Sequence, residues 1–319
     1  MLKKLTFLGI FFLLLSCSEE DKRAEEIAKI PVEVKITRFD KRFASATADS
    51  LPDLKKDFPF LFPMNYPNIV WVEKMTDTIQ LELNEAVAAR FPDLDQTEKE
   101  LHELFQHIKY YFPEARIPEV VTLTSDVDYR NKVVWTGDLL LIALDTYLGA
   151  EHPLYVGIQD YIRKNFQKDL IVSDVAAAFA ETKVKSPASR TFLANMIYYG
   201  KILYLKDLII PFKTDAEKIG YTPTEIEWAS ANEEQIWRYF VEKELLFSTD
   251  SELATRFLYP SPFSKFYLEL DNEAPARLGQ FTGWQIVRQY MDRNGGSLEE
   301  MLQADAETIF NKSNYKPKK

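Results

Sequence analysis

A chain of 319 residues that is 46% hydrophobic can bury a sizeable core, which excludes a disordered polymer. Its formal net charge of −10 excludes nucleic-acid binding through a phosphate-neutralising surface. One cysteine and 3 histidines exclude an internal disulfide and leave few soft ligands for a metal.

Lys3 and Lys4 precede an apolar run from Leu5 to Leu15 that is too short to span a bilayer. Leu14-Leu15-Ser16-Cys17 is a bacterial lipobox, and Cys17 is the chain's one cysteine. Residues 1–16 are therefore expected to be a signal peptide. The Cys17 thiol is expected to carry a diacylglycerol and the new amine an acyl chain such as palmitate, anchoring the body to a bilayer. Residues 17–30 are charged and aperiodic, as in a flexible tether. Residues 31–310 are expected to form a single globular domain, and 311–319 a frayed tail.

Val32 to Phe39 alternates with period two and predicts a strand. Residues 58–67 hold three prolines among aromatics, which forbids regular helix and predicts a rigid apolar loop. Gln80 to Arg90 predicts a helix. Asp95 to Phe112 predicts an amphipathic one, with Leu101, Leu104, Phe105, Ile108, Tyr111 and Phe112 on its apolar face. His102 and His107 lie about 140° apart on that helix, so they cannot share a metal, and both read as surface residues. Ile117 to Thr124 predicts a second strand. Asp126-Val-Asp128 starts like a calcium loop, but Arg130 takes the next ligand position, so a polar loop is expected. Lys132–Trp135 and Leu139–Leu144 flank Thr136-Gly-Asp138 as a hairpin.

From Tyr155 onward the pattern is helical: 155–165, 169–182, 187–207, 223–244, 251–258, 281–292 and 298–303. Pro187 and Pro223 stand at first-turn positions behind the caps Ser186 and Thr222. Lys201, Lys206 and Asp207 interrupt the apolar stretch 192–210, which marks a core helix rather than a membrane span. The fold class is α+β: a small, mostly antiparallel sheet packed by a helix-rich C-terminal half.

Several blocks carry a resemblance. The lipobox, Phe58-Pro-Phe-Leu-Phe-Pro63, Trp135-Thr-Gly-Asp138, Leu144-Asp-Thr-Tyr-Leu-Gly149, Tyr199-Gly-Lys-Ile-Leu-Tyr204 and Phe281-Thr-Gly-Trp-Gln-Ile-Val-Arg288 occur in one order. That order resembles the GldB-type gliding-motility lipoproteins of Bacteroidetes. The resemblance implies an envelope lipoprotein, at the periplasmic face or outer membrane, whose partners are other proteins of gliding and the linked type IX secretion. The acidic run after Cys17 likewise resembles a surface-export signal, with a plain soluble linker as the alternative.

That family is in turn similar to zinc peptidases built on His-Glu-x-x-His, which implies a degenerate zincin-like scaffold. Ser173, Asp174 and Ala177 stand where the motif would, and Tyr199 where a later ligand is expected. That mechanism needs two imidazoles one turn apart, and the chain has no histidine after His152. No metal, cofactor or catalytic residue is therefore expected, and the scaffold reads as a pseudo-peptidase. The alternatives are an active hydrolase with atypical ligands and a solute- or glycan-binding lipoprotein. Trp228, Trp237 and Trp284 are candidates for a cleft or interface, with core packing as the alternative. Lys201 and Arg288 are expected either to pair with a buried carboxylate or to line the cleft.

Overall fold

The computed structural model of the chain describes residues 21–268 and 271–318. The signal segment and Cys17 lie outside the described residues. Residues 21–28 form α1. Strand β1 (Ile36–Arg38) is followed by α2 (Phe39–Ala44), α3 (Leu51–Asp57), α4 (Asn68–Thr76), α5 (Thr78–Arg90) and α6 (Asp95–Tyr111). Strands β2 (Glu119–Leu123), β3 (Val133–Trp135) and β4 (Leu139–Ala143) complete the sheet. The rest is helical: α7 (Asp160–Arg163), α8 (Ile171–Lys183), α9 (Phe192–Ile209), α10 (Asp215–Ile219), α11 (Pro223–Ala231), α12 (Glu233–Glu242), α13 (Glu252–Phe257), α14 (Leu278–Asn294), α15 (Leu298–Gln303) and α16 (Ala306–Ser313).

The class is α+β, as the pattern predicts. The sheet, however, is mostly parallel. Its order is β1-β2-β4-β3, and only β3 and β4 pair antiparallel. The local hairpin is legible in sequence. The pairing of β2 with β4, and of β1 with a strand five helices later, is set by long-range packing. Both faces are covered, as a parallel sheet requires. Val120, Leu140 and Ile142 join the cluster under α6 and α8, whereas Val121, Leu139 and Leu141 meet Phe39, Phe58 and Phe62.

The first strand is also shorter than expected. Phe39 and Phe43 are both buried one helical turn apart, so the helical period of α2 overrides the alternation after Arg38. In the proline-rich segment, Phe58 and Phe62 are buried around a 3₁₀ turn at Pro59–Leu61. Between them and beyond, Phe60, Met64, Tyr66 and Ile69 project outward, 44%, 103%, 48% and 57% exposed.

The aspartates near residue 126 hold no calcium-loop geometry. Asp126 pairs with Lys74 at 2.6 Å. The buried Asp145 carboxylate accepts the amides of Ser125 and Val127, at 3.0 and 2.7 Å, which holds Asp126 and Val127 at φ 57°. His107 is not a surface residue. It is buried, with Nδ1 2.9 Å from the Glu103 carbonyl and its ring tilted toward Phe212.

Two expected ends are ordered. Ile27 of α1 is buried, and Gln106 donates to the carbonyls of Ala28 and Ile30 at 3.0 Å, so the tether does not extend to residue 30. Beyond residue 310, Tyr315 donates its hydroxyl to Glu233 at 2.8 Å and stacks edge-on against Trp237. These contacts replace the frayed tail.

The boundary at Pro187 is displaced as well. Helix α9 starts at Phe192, where the Thr191 side chain accepts the Ala194 amide, and Pro187 stays in the loop before it. The helix predicted over 223–244 breaks at Asn232, whose Nδ2 donates back to the Trp228 carbonyl at 2.8 Å. Helices α9 and α14 cross at Gly200 and Gly283 with no room for a side chain between them. A Cβ on Gly283 would lie 1.9 Å from the Met196 carbonyl oxygen. Among the described residues, no helix is long and apolar enough to cross a membrane.

Candidate functional site

Helix α8 buries Ile171, Val172, Val175 and Phe179 toward the sheet. That leaves Ser173, Ala177 and Glu181, one turn apart, on another side, with Asp174 beside them. On α9, Tyr199, Leu203 and Lys206 likewise follow one another at about one turn. These two rows, closed by Glu217 and Lys218 of α10, Gly220, Arg277 and Gln280, line a cavity of about 210 Å³. The four positions singled out in sequence, Ser173, Asp174, Ala177 and Tyr199, thus share one cavity.

The residues there do not fit a zinc ion. Ser173 donates its hydroxyl to the Glu217 carbonyl at 2.6 Å. Asp174 is engaged by the Lys132 ammonium and by the Tyr147 hydroxyl, the latter at 2.8 Å. Ala177 has no donor atom. Burial pushes the Tyr199 phenol up to about 12, so it stays protonated rather than acting as a phenolate. Among the described residues, no group of three or more His, Cys, Asp or Glu side chains is arranged to hold a metal.

The cavity instead carries cations. Lys206 is 4% exposed, and its ammonium donates to the Lys218 carbonyl. No carboxylate pairs with it among the described residues. Arg277, held at φ 62°, gives one N–H to the Gly220 carbonyl at 2.8 Å and rests over the Tyr221 ring. It too has no carboxylate partner among the described residues. Lys206 and Arg277 share the cavity with the carboxylates of Asp174 and Glu181, so both signs of charge line it. Pattern reading registers Lys206 only as an interruption of an apolar helix. Arg277 comes from a segment seventy residues further on, with no local signal.

Burial lowers the Lys206 pKa to about 8. Asp174 opposes the shift, while Arg277, Lys132 and Lys218 add to it. The sign follows. Between pH 8 and the ordinary lysine value near 10.5, the unfolded chain keeps a proton that the folded chain has lost. Lys206 therefore opposes folding at neutral pH, and that penalty fades as pH rises through this window. Urea unfolding should show the native chain gaining about 2 kcal/mol between pH 7 and 10 relative to Lys206→Met. Parallel curves for the two proteins would remove Lys206 as the cause.

The other candidates separate. Lys201 finds no carboxylate partner among the described residues. Its ammonium caps the end of α15, donating to the carbonyls of Leu302 and Ala304 at 3.0 and 2.7 Å. It lines a different cleft, between the start of α9 and α15–α16. Trp284 is fully buried and belongs to the core, not to an interface; its Nε1 donates to Asp207 at 2.8 Å. Arg288 makes the structural pair, reaching Asp207 at 2.7 Å and Asp215 at 2.8 Å, with its guanidinium 3.7 Å above the Trp284 ring. Trp237 packs against Phe310 and Tyr315. Trp228 lines a shallow groove with Tyr239, Phe266 and Leu268.

A family model, that of gliding motility protein GldB, matches residues 20–317. No curated protein and no solved structure matches the chain.

Proposed function

Since the chain belongs to the GldB family of gliding motility proteins, we propose that it is a non-catalytic component of the gliding machinery and the linked type IX secretion apparatus, acting by holding other envelope proteins. In this reading acylated Cys17 keeps the body at a bilayer, and the zincin-like scaffold has lost its metal chemistry. The observation that carries the binding role is the segment 60–70. Phe60, Met64, Tyr66, Ile69 and Val70 are exposed large apolar side chains on a proline-stiffened stretch anchored by Phe58 and Phe62. Grouped exposed apolar side chains of this kind mark interaction surfaces. Against an active peptidase stand the residues where the zinc ligands would be: Ser173 and Asp174 are already bonded within the protein, and Ala177 has no donor atom.

A photo-crosslinking residue at position 64 tests the binding role. In intact cells it should capture discrete envelope proteins. The Cys17→Ser variant, expected in the soluble fraction, should lose those products. Position 64 yielding no discrete product would remove the segment as the contact. Stoichiometric zinc in the purified protein, together with peptide cleavage abolished by a chelator, would overturn the non-catalytic assignment.

A further inference from the structure

Lys206 is the most unusual buried group in the chain. An ammonium has three N–H donors, and in the folded protein one goes to a backbone carbonyl while, among the described residues, no carboxylate bonds it directly and Asp174 and Glu181 act on it only from further off. A buried cation without a counter-charge is strongly disfavoured. Arg277 lines the same cavity with most of its fork of donors unspent. That planar fork matches a carboxylate bidentately. The facing α8 wall has the opposite character. Asp174 turns Oδ2 to Lys132 and Tyr147 but has no partner on Oδ1 among the described residues, and Glu181 lies one turn away from Ala177 on the same rim. One wall therefore offers positive donors and the other carboxylate acceptors, about a cavity of roughly 210 Å³ that admits a ligand of only a few heavy atoms.

We infer that the α8–α9 cavity binds a small carboxylate whose other end carries an N–H or O–H donor, as an amino acid does. Lys206 and Arg277 take the carboxylate, and Asp174 and Glu181 take the donor end. The ligand gives Lys206 a directly bonded carboxylate, and the acceptor wall disfavours a multiply charged phosphate. This goes beyond the binding of envelope partners, which uses the exposed segment on the far side of the sheet.

The test is calorimetric titration of the purified full chain at neutral pH with three probes: L-alanine, propionate and inorganic phosphate. L-Alanine should bind saturably, propionate about tenfold more weakly for want of a donor, and phosphate not at all. Arg277→Gln should weaken L-alanine binding by about tenfold or more, and Lys206→Met should abolish it. Arg238→Gln, which breaks an exposed pair on α12, should change nothing. Should Lys206→Met fail to fold, Arg277→Gln decides alone. No saturable binding of either carboxylate, phosphate binding in their place, or affinity unchanged by Arg277→Gln each overturns the inference.

Discussion

Gly283→Ala is expected to destabilise the fold by about 3 kcal/mol or more, although alanine is the better helix former by about 1 kcal/mol. The added methyl would sit 1.9 Å from the Met196 carbonyl oxygen and 2.5 Å from its carbon, which are backbone atoms that cannot rotate away. The reciprocal position is as tight, with a Cβ on Gly200 lying 2.3 Å from the Gly283 carbonyl oxygen. Relief requires α9 and α14 to separate. That loosens Met196, Ile197, Phe281, Trp284 and Val287, all buried in the same core cluster. Urea unfolding gives the comparison, with Arg293→Ala on the exposed end of α14 as the reference. A midpoint for Gly283→Ala equal to that of the native chain would mean that the α9–α14 crossing has room for a methyl group.

Asp207→Asn is expected to cost about 3 kcal/mol, towards the lower end for a broken buried pair, because Arg288 keeps Asp215. The Asp207 carboxylate accepts from Trp284 Nε1 at 2.8 Å, twice from the Arg288 guanidinium at 2.7 Å, and from the Lys218 ammonium at 3.1 Å. Burial works against the Arg288 charge, yet its bonds to Asp215 and Asp207 outweigh that and hold its pKa above the ordinary value. An amide of the same shape removes the negative charge and turns an NH₂ toward groups that are themselves donors. Lys218, buried, and Arg288, partly buried, then stand beside a neutral side chain. Adding Arg288→Met should recover part of the loss, because it removes one of the stranded cations. Asp207→Asn unfolding together with the native chain would show that the network adds nothing to stability.

Legibility in the sequence followed the range of the forces involved. Helix α6 was readable because Leu101, Leu104, Phe105 and Ile108 repeat with the helical period, and they are fully buried. Thr222-Pro223 marked a true helix start, and its capping box with Glu225 is present. Ser186-Pro187 looks the same and is not a start, because Thr191 five residues later supplies the cap. Strand pairing was misjudged because alternation says which residues face a core but not which strand lies alongside. The cavity was half legible. The resemblance brought Ser173, Asp174, Ala177 and Tyr199 to one place, and they do line one cavity. Its positive wall, Lys206 and Arg277, depends on tertiary approach that no local pattern encodes.

The parallel pairing of β1 with β2 also sets a timetable for folding. Ile36–Arg38 has no hydrogen-bonded neighbour until Glu119–Leu123 has arrived, with five helices between them. Those helices condense from nearby contacts, whereas the sheet awaits the closure of a long loop, the slow kind of step. A chain delivered from its N-terminus therefore carries an unmatched strand edge while residues 39–118 follow, and that edge is where misassociation with another copy begins.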